Sequence, residues 1–164
     1  MYKLDQTKTP MFDALLEYHN NDTIPFHVPG HKRGQGMSKK FRDFVGTNVL
    51  SIDVTVFKQV DSLHKPTGAI KAAQELAADA YNADYTFFSI HGTSGAIQAM
   101  IMSVVNQGDK IIIPRNVHKS VTAGIILSGA NPVYMTPEID TNIGVALNVT
   151  PETVRSTLAH NSDA

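Results

Sequence analysis

The sequence predicts an α/β fold, and three observations carry the prediction. Runs of β-branched and aromatic residues recur at 85–90, 110–114 and 131–135. Between them lie stretches with apolar residues at helical spacing. The joints are rich in Gly, Asn and Ser, so strand and helix alternate as they do in parallel sheets built through right-handed crossovers. Such folds bind ligands at the carboxyl ends of their strands. The 164 residues suffice for one modest domain.

From the amino terminus, Thr9 and Pro10 predict a helix start, with Thr as N-cap and Pro at the first helical position. Phe12, Leu15, Leu16 and His19 share one face, and Asn20-Asn21-Asp22 ends the helix. An amphipathic helix ahead of a main domain reads as a packing arm, with His19 part of its face. Residues 24–36, IPFHVPGHKRGQG, contain Pro25, Pro29, Gly30, Gly34 and Gly36, which exclude regular helix. Ser38 to Val45 predicts a short helix with Phe41, Phe44 and Val45 as its apolar contacts. Residues 49–60 alternate roughly as a strand that ends at Asp61-Ser62.

Pro66 and Gly68 mark an ordered loop before a helix over 69–81. Its narrow stripe of Ile70, Ala73, Ala77, Ala80 and Tyr81 suits close packing on a sheet, and Asn82 supplies a left-handed C-cap. Tyr85 to Ile90 then reads as a buried strand, His91-Gly92-Thr93-Ser94-Gly95 as a loop, and Ala96 to Val105 as a helix with Gly108 just past its end. Ile97, Met100, Ile101, Val104 and Val105 have the spacing of its apolar face. Lys110 to Pro114 is the next strand. Asn116 is expected to cap a helix through about Leu127, and Ser128-Gly129 to stop it. A third strand covers Asn131 to Met135, residues 144–148 form a small excursion, and Thr150-Pro151-Glu152 opens a last helix through about Ala159.

Composition excludes several classes. With 42% hydrophobic residues, 18% charged and a net charge of -1, there is no basic footprint for nucleic acid and none for a membrane surface. The absence of cysteine excludes disulfides and thiolate metal sites. No apolar run approaches the roughly 20 residues of a membrane span. The opening MYKLDQTKTP lacks the apolar centre of a signal peptide. The expected location is the cytoplasm.

The chemistry concentrates at 91–95, where a strand's carboxyl end meets a helix's amino end. Free backbone N–H groups and the helix dipole favour an anion there. A nucleotide P-loop needs Gly-Lys-Ser/Thr, and a dinucleotide fingerprint needs three spaced glycines with a later acidic residue; neither is present. What remains is the Thr93 and Ser94 hydroxyls beside the amides of Ser94 and Gly95, enough for one phosphate. The same residues also read as a plain N-cap. The following strand ends in PRNVHKS, which sets His118 at the carboxyl edge of the neighbouring strand, where a flat imidazole suits stacking on an aromatic ring. His27 and His31 have the spacing of a helical metal pair, but Pro29-Gly30 breaks any helix between them, so no metal site is expected. His31, Lys32 and Arg33 read either as a solvated basic turn or as charges suited to a phosphate or carboxylate. His64 reads either as bonded to backbone or as facing a site.

Four motifs, VPGHKRG, LHKPTGAIKAAQELAADAYNAD, HGTSGAIQAM and PRNVHKS, resemble the Orn/Lys/Arg decarboxylases and occur in that family's order, over about Thr9 to Pro137. The resemblance implies an aspartate-aminotransferase-like, fold type I large domain, here incomplete, with an amino-terminal helical arm. It places the arm and the PGHK segment in 1–60 and the first part of the cofactor domain in 61–164. It implies pyridoxal 5'-phosphate as cofactor and decarboxylation of arginine, lysine or ornithine. Thr93, Ser94 and Gly95 would bind the phosphate, His118 would stack on the cofactor ring, and His31 and His64 would lie near the substrate. A homodimer or larger homo-oligomer is implied, with a basic amino acid as the small-molecule partner and neither nucleic acid nor membrane.

One departure from the family stands out. The aspartate that pairs with the pyridine nitrogen and the lysine that carries the cofactor come later in these enzymes, and no residue here matches either motif. Lys119 follows His118, but the resemblance gives it no such role. The chain is therefore expected to be the amino-terminal portion of a longer enzyme, with no catalytic residue of its own and inactive alone. Two other readings are open. An aminotransferase or aldolase of the same fold would share the phosphate loop and the stacking ring, although VPGHKRG and LHKPTG argue against it. A non-catalytic phosphate-binding or assembly module would leave strand edges unpaired.

Overall fold

Residues 3–21 and 23–164 are described by a computed structural model, in which the chain forms two units, Met1–Phe88 and Ser89–Ala164. Asp22, part of the expected stop of the first helix, lies outside the described residues.

In the first unit Pro10 opens α1 (Pro10–Asn20) as expected, but the Thr9 side chain makes no cap; its hydroxyl donates to Asp13 Oδ1 at 3.0 Å. The buried face also differs from the one predicted. Tyr18 is 2% exposed, whereas Phe12 and Leu16 face solvent. The Tyr18 ring is the reason: it packs against His27 and Phe57, with centroids 5.6 and 5.3 Å away, and the Arg33 guanidinium lies 4.9 Å over it. An aromatic cluster with a cation on its face buries more surface than the leucines would.

Arg33 also closes the end of the helix. Its guanidinium donates to the carbonyls of His19, Tyr18 and Asn21 at 3.3, 3.2 and 2.9 Å. These carbonyls lie at the helix C-terminus, which favours a cation. The IPFHVPGHKRGQG segment is thus a folded turn anchored on α1. Gly34 sits at φ +88, where a Cβ would come within 2.6 Å of Leu50 Cδ1, so both backbone and packing require glycine.

Helix α2 (Lys39–Val45) forms as expected, with Ser38 as its cap, although Phe41 and Phe44 are exposed rather than apolar contacts. The strand expected over 49–60 does not form. Its first residues belong to α3 (Thr47–Ser51), where Ser51 Oγ donates to the Asn48 carbonyl at 2.6 Å and Leu50 is buried. The rest is irregular apart from one bridge between Phe57 and Asp61. Alternation alone does not make a strand when side-chain bonds close a helical turn locally.

Helix α4 (Ala69–Ala80) packs on α1. That neighbour, rather than a sheet, decides its buried face: Ile70 and Ala78 are inside, and Tyr81 is out. Asn82 takes the expected left-handed conformation at φ 50. Ala83 N donates to Ala78 O and Asn82 N to Asp79 O, the paired bonds of a Schellman stop.

Residues 85–90 form no strand, and Ile90 is already in a turn. Tyr85, Phe87 and Ile90 are exposed, and among the described residues 85–88 make no backbone hydrogen bond to another segment. The residue types suit a strand, but a strand exists only where a partner completes its ladder.

The second unit carries the α/β pattern. Helix α5 (Gly92–Val104) leads into β1 (Lys110–Pro114), and α6 (Lys119–Ser128) returns the chain to β2 (Asn131–Met135). The strands pair in parallel from Lys110↔Asn131 to Pro114↔Met135, as predicted. Gly129 stops α6 at φ +70. Ile101 of α5, Ile113 of β1, Ile125 of α6 and Ala130 form the buried core, with Ile97, Val105, Ile111, Val117 and Val121 around it. The expected excursion is a small hairpin of β3 (Ile139–Asp140) and β4 (Val145–Ala146). Thr150 Oγ1 accepts from Thr153 N at 3.1 Å and caps α7 (Pro151–His160). Among the described residues no helix is long and apolar enough to cross a membrane.

Candidate functional site

Helices α5 and α6 of the second unit begin at the same edge of the sheet. Helix α6 joins two parallel strands and so runs antiparallel to them, and α5 reaches β1 through a short turn and does the same. Their far ends are tied together: Gly108 N donates to Gly129 O at 3.0 Å, and Asn131 Nδ2 to Gly108 O at 3.0 Å. Midway, a Cβ at Gly124 would meet Ile101 and the Gln98 Cα, so the helices lie close along their length. The amino ends of α5 and α6 therefore sit side by side at the carboxyl edge of β1 and β2. Two aligned positive helix ends make this edge suited to an anion.

Thr93, Ser94 and Gly95 are in the first turn of α5, which starts four residues earlier than the Ala96 predicted. The left-handed Gly92, φ +64, lets the helix begin inside the glycine-rich run. His91 is the N-cap residue, but its side chain makes no cap bond. Gly95 N donates to His91 O at 3.3 Å, while the amides of Thr93 and Ser94 have no acceptor among the described residues. Thr93 and Ser94 are exposed. Free first-turn amides and two hydroxyls are a donor set that fits one phosphate group. Glycine at 95 is set by contact: a Cβ there would come within 2.5 Å of His91 Cβ.

His118 is the N-cap of α6, the position predicted for Asn116. Asn116 instead donates through Nδ2 to Leu147 O at 3.2 Å. The His118 ring is exposed, with Nδ1 accepting from Ser120 N at 3.2 Å. The structure thus brings Thr93, Ser94, Gly95 and His118 to one edge of the second unit.

His31 and His64 belong to the first unit. Gly34 N donates to His31 Nδ1 at 2.9 Å, which leaves Nε2 as the protonated nitrogen, and that atom lies 3.2 Å from Asp53 Oδ2. The side chain of His31 is 7% exposed. It holds a turn together, as do its neighbours: Tyr18 Oη is 2.6 Å from His27 Nε2, and His19 Nδ1 is 2.6 Å from Ser51 Oγ. Because Ser51 gives its one proton to Asn48 O, His19 must be the donor of that second bond. His64 is exposed on the loop after Asp61.

Asp61 is the residue that sequence reasoning passed over. Its carboxylate accepts from the amides of Ser62 at 2.8 Å, Thr67 at 3.0 Å, Gly68 at 2.8 Å, Ile70 at 3.0 Å and Lys71 at 3.4 Å. Burial works against its charge, but the amides of Thr67, Gly68, Ser62 and Lys71 outweigh it and lower the carboxyl from 3.8 to about 2. One side chain thereby fixes the His64 loop and caps α4. The available signal was a carboxylate just before a Pro/Gly loop and an uncapped helix.

Comparison with protein families matches residues 9–164 to "Orn/Lys/Arg decarboxylase, major domain". An arginine decarboxylase of Bacillus anthracis is 54% identical over 164 residues, which are 100% of this chain and 33% of that protein. The chain thus spans about a third of the length of this curated relative. Among solved structures, lysine decarboxylase A from Pseudomonas aeruginosa matches with a TM-score of 0.76 and 34% identity, over 92% of this chain and 22% of the other. The constitutive lysine decarboxylase of E. coli matches with a TM-score of 0.78 and 27% identity, over 98% and 24%. The α/β expectation agrees with these neighbours, both of them much longer chains.

Proposed function

Because the chain belongs to the Orn/Lys/Arg decarboxylase family, we propose that it contributes the phosphate-binding edge of a pyridoxal-phosphate-dependent decarboxylase of basic amino acids, with arginine as the preferred substrate. The observation that carries this reading is the pairing of two helix N-termini, one with free amides and hydroxyls at Thr93 and Ser94, the other with His118. The choice of arginine is supported by 54% identity to an arginine decarboxylase of Bacillus anthracis, against 38% to lysine decarboxylase LdcA of Pseudomonas aeruginosa.

Pyridoxal phosphate, when bound, takes up the electron pair that a departing carboxylate leaves behind. The residues here bind and orient. The Thr93 and Ser94 hydroxyls and first-turn amides hold the phosphate, with the Gly95 amide, whose helical bond is long, as a further donor. The His118 imidazole would stack on the ring and help fix its plane. His31 and His64 are assigned to the substrate side of the same enzyme. The lysine that carries the cofactor and the aspartate at the pyridine nitrogen are assigned to the part of the relatives' length that this chain does not span, so the activity belongs to a longer polypeptide. An arm over 1–60, a cofactor domain from 61, a cytoplasmic homodimer or larger assembly and inactivity of this stretch alone belong to the same proposal.

The test is carbon dioxide release by the native protein from arginine, lysine and ornithine, with and without added pyridoxal phosphate. Cofactor-dependent release, fastest from arginine, is the expected result. Amino-group transfer without carbon dioxide would place the protein with the aminotransferases, and no turnover of any basic amino acid would leave a binding module.

A further inference from the structure

His118 is an unusual helix cap. N-cap positions favour Ser, Thr, Asp and Asn, whose short side chains accept from first-turn amides. Here an imidazole does so, Nδ1 accepting from Ser120 N at 3.2 Å. A local rule broken in this way marks a position kept for something other than capping.

A second donor converges on the same atom. Ser120 Oγ lies 2.8 Å from His118 Nδ1, and Ser120 is 2% exposed. Among the described residues that hydroxyl has no other hydrogen-bond partner. A hydroxyl buried so deeply needs a partner, and the His118 ring is the one it has. With the Ser120 amide already donating to Nδ1, that nitrogen carries no proton, so the hydroxyl must also donate to it and the ring proton lies on Nε2. Both donors come from one residue in the first turn of α6, so they restrict the rotation of the ring as well as its tautomer.

We propose that Ser120 is a positioning residue, which holds the His118 imidazole as its Nε2–H tautomer in one orientation and so presets it for stacking on the cofactor ring. The inference rests on the stacking role proposed for His118. Ser120 touches neither cofactor nor substrate in this account; it acts through His118 alone.

The test uses the native protein labelled with ¹⁵N-histidine, its Ser120→Ala and Ser120→Thr variants, and His118→Ala to assign the resonances. Solid-state ¹⁵N NMR at mildly alkaline pH reads the tautomer, and titration with pyridoxal phosphate reads the dissociation constant. The wild-type ring should be a single Nε2–H tautomer. Ser120→Ala keeps the amide and with it the Nε2–H tautomer, but should leave the ring mobile, read as reduced N–H dipolar order in the same spectra, and weaken cofactor binding by about two- to tenfold, the worth of one hydrogen bond; Ser120→Thr, which keeps the hydroxyl, should restore both. A wild-type ring with its proton on Nδ1 would overturn the proposal without any variant. So would a Ser120→Ala protein whose His118 ring is as ordered as in wild type, or one with a loosened ring and unchanged affinity. Should His118→Ala bind the cofactor as tightly as wild type, the stacking role itself fails, and Ser120 has nothing to position.

Discussion

Asp61 Oδ2 accepts a hydrogen bond from Gly68 N at 2.8 Å, spanning the loop that carries His64 and Pro66. The same carboxylate reaches on into the first turn of α4 at Ile70 N, 3.0 Å away. One side chain thus serves as turn anchor and helix cap, and the charge it bears is part of the bond.

This gives a pH dependence with a defined sign. The folded carboxyl titrates at about 2 and the free one near 3.8. Above the upper value both states are ionised and the contribution to stability is complete. As pH falls from there toward the lower value, the unfolded chain takes up the proton first, and the contribution is lost. Asp61→Asn should therefore lower the urea midpoint at neutral pH and flatten its decline across that acid window. Parallel curves for the two proteins would contradict this.

Tyr18→Phe removes the hydroxyl that meets His27 Nε2 at 2.6 Å and keeps the ring that packs on Phe57. The expected loss is about 0.5–1.5 kcal/mol in chemical denaturation. In a double-mutant cycle with His27→Ala the two effects should be non-additive, because they share one bond.

Gly124→Ala brings a Cβ within 2.9 Å of Ile101 Cδ1, 3.2 Å of Ile101 Cβ and 3.4 Å of the Gln98 Cα. Overpacking between α5 and α6 should cost about 1–3 kcal/mol. Gly30→Ala, where nothing lies within 4 Å, is the control and should stay within about 0.5 kcal/mol of wild type.

Signals that are local were legible in the sequence. Thr150 caps its helix, Gly129 and Asn82 take left-handed stops, and 110–114 and 131–135 are strands. Each depends on the residue and a few neighbours. What depends on a partner was not legible. Residues 85–90 have the composition of a strand but no ladder, and 49–60 alternates yet begins as a helix once Ser51 bonds Asn48. The buried face of α1 turns on Tyr18 because His27, Phe57 and Arg33, distant in sequence, converge there. At the candidate site, the singled-out Thr93, Ser94, Gly95 and His118 share one edge, since α5 and α6 each lead directly into one of two parallel strands. The cap at His118 and the reach of Asp61 were hidden, because imidazole is rarely a cap and a carboxylate's partners up to ten residues away leave no periodic trace.

The central claim is that the first turn of α5 holds the cofactor's phosphate. Its most direct test is an equilibrium titration of the native protein with pyridoxal phosphate, beside the Thr93→Ala/Ser94→Ala double variant. Two hydroxyl bonds to a charged phosphate are worth about 1.5–3 kcal/mol each, so the dissociation constant should rise on the order of a hundredfold or more while the unfolding midpoint stays near that of wild type. An unchanged dissociation constant in a folded double variant would contradict the account.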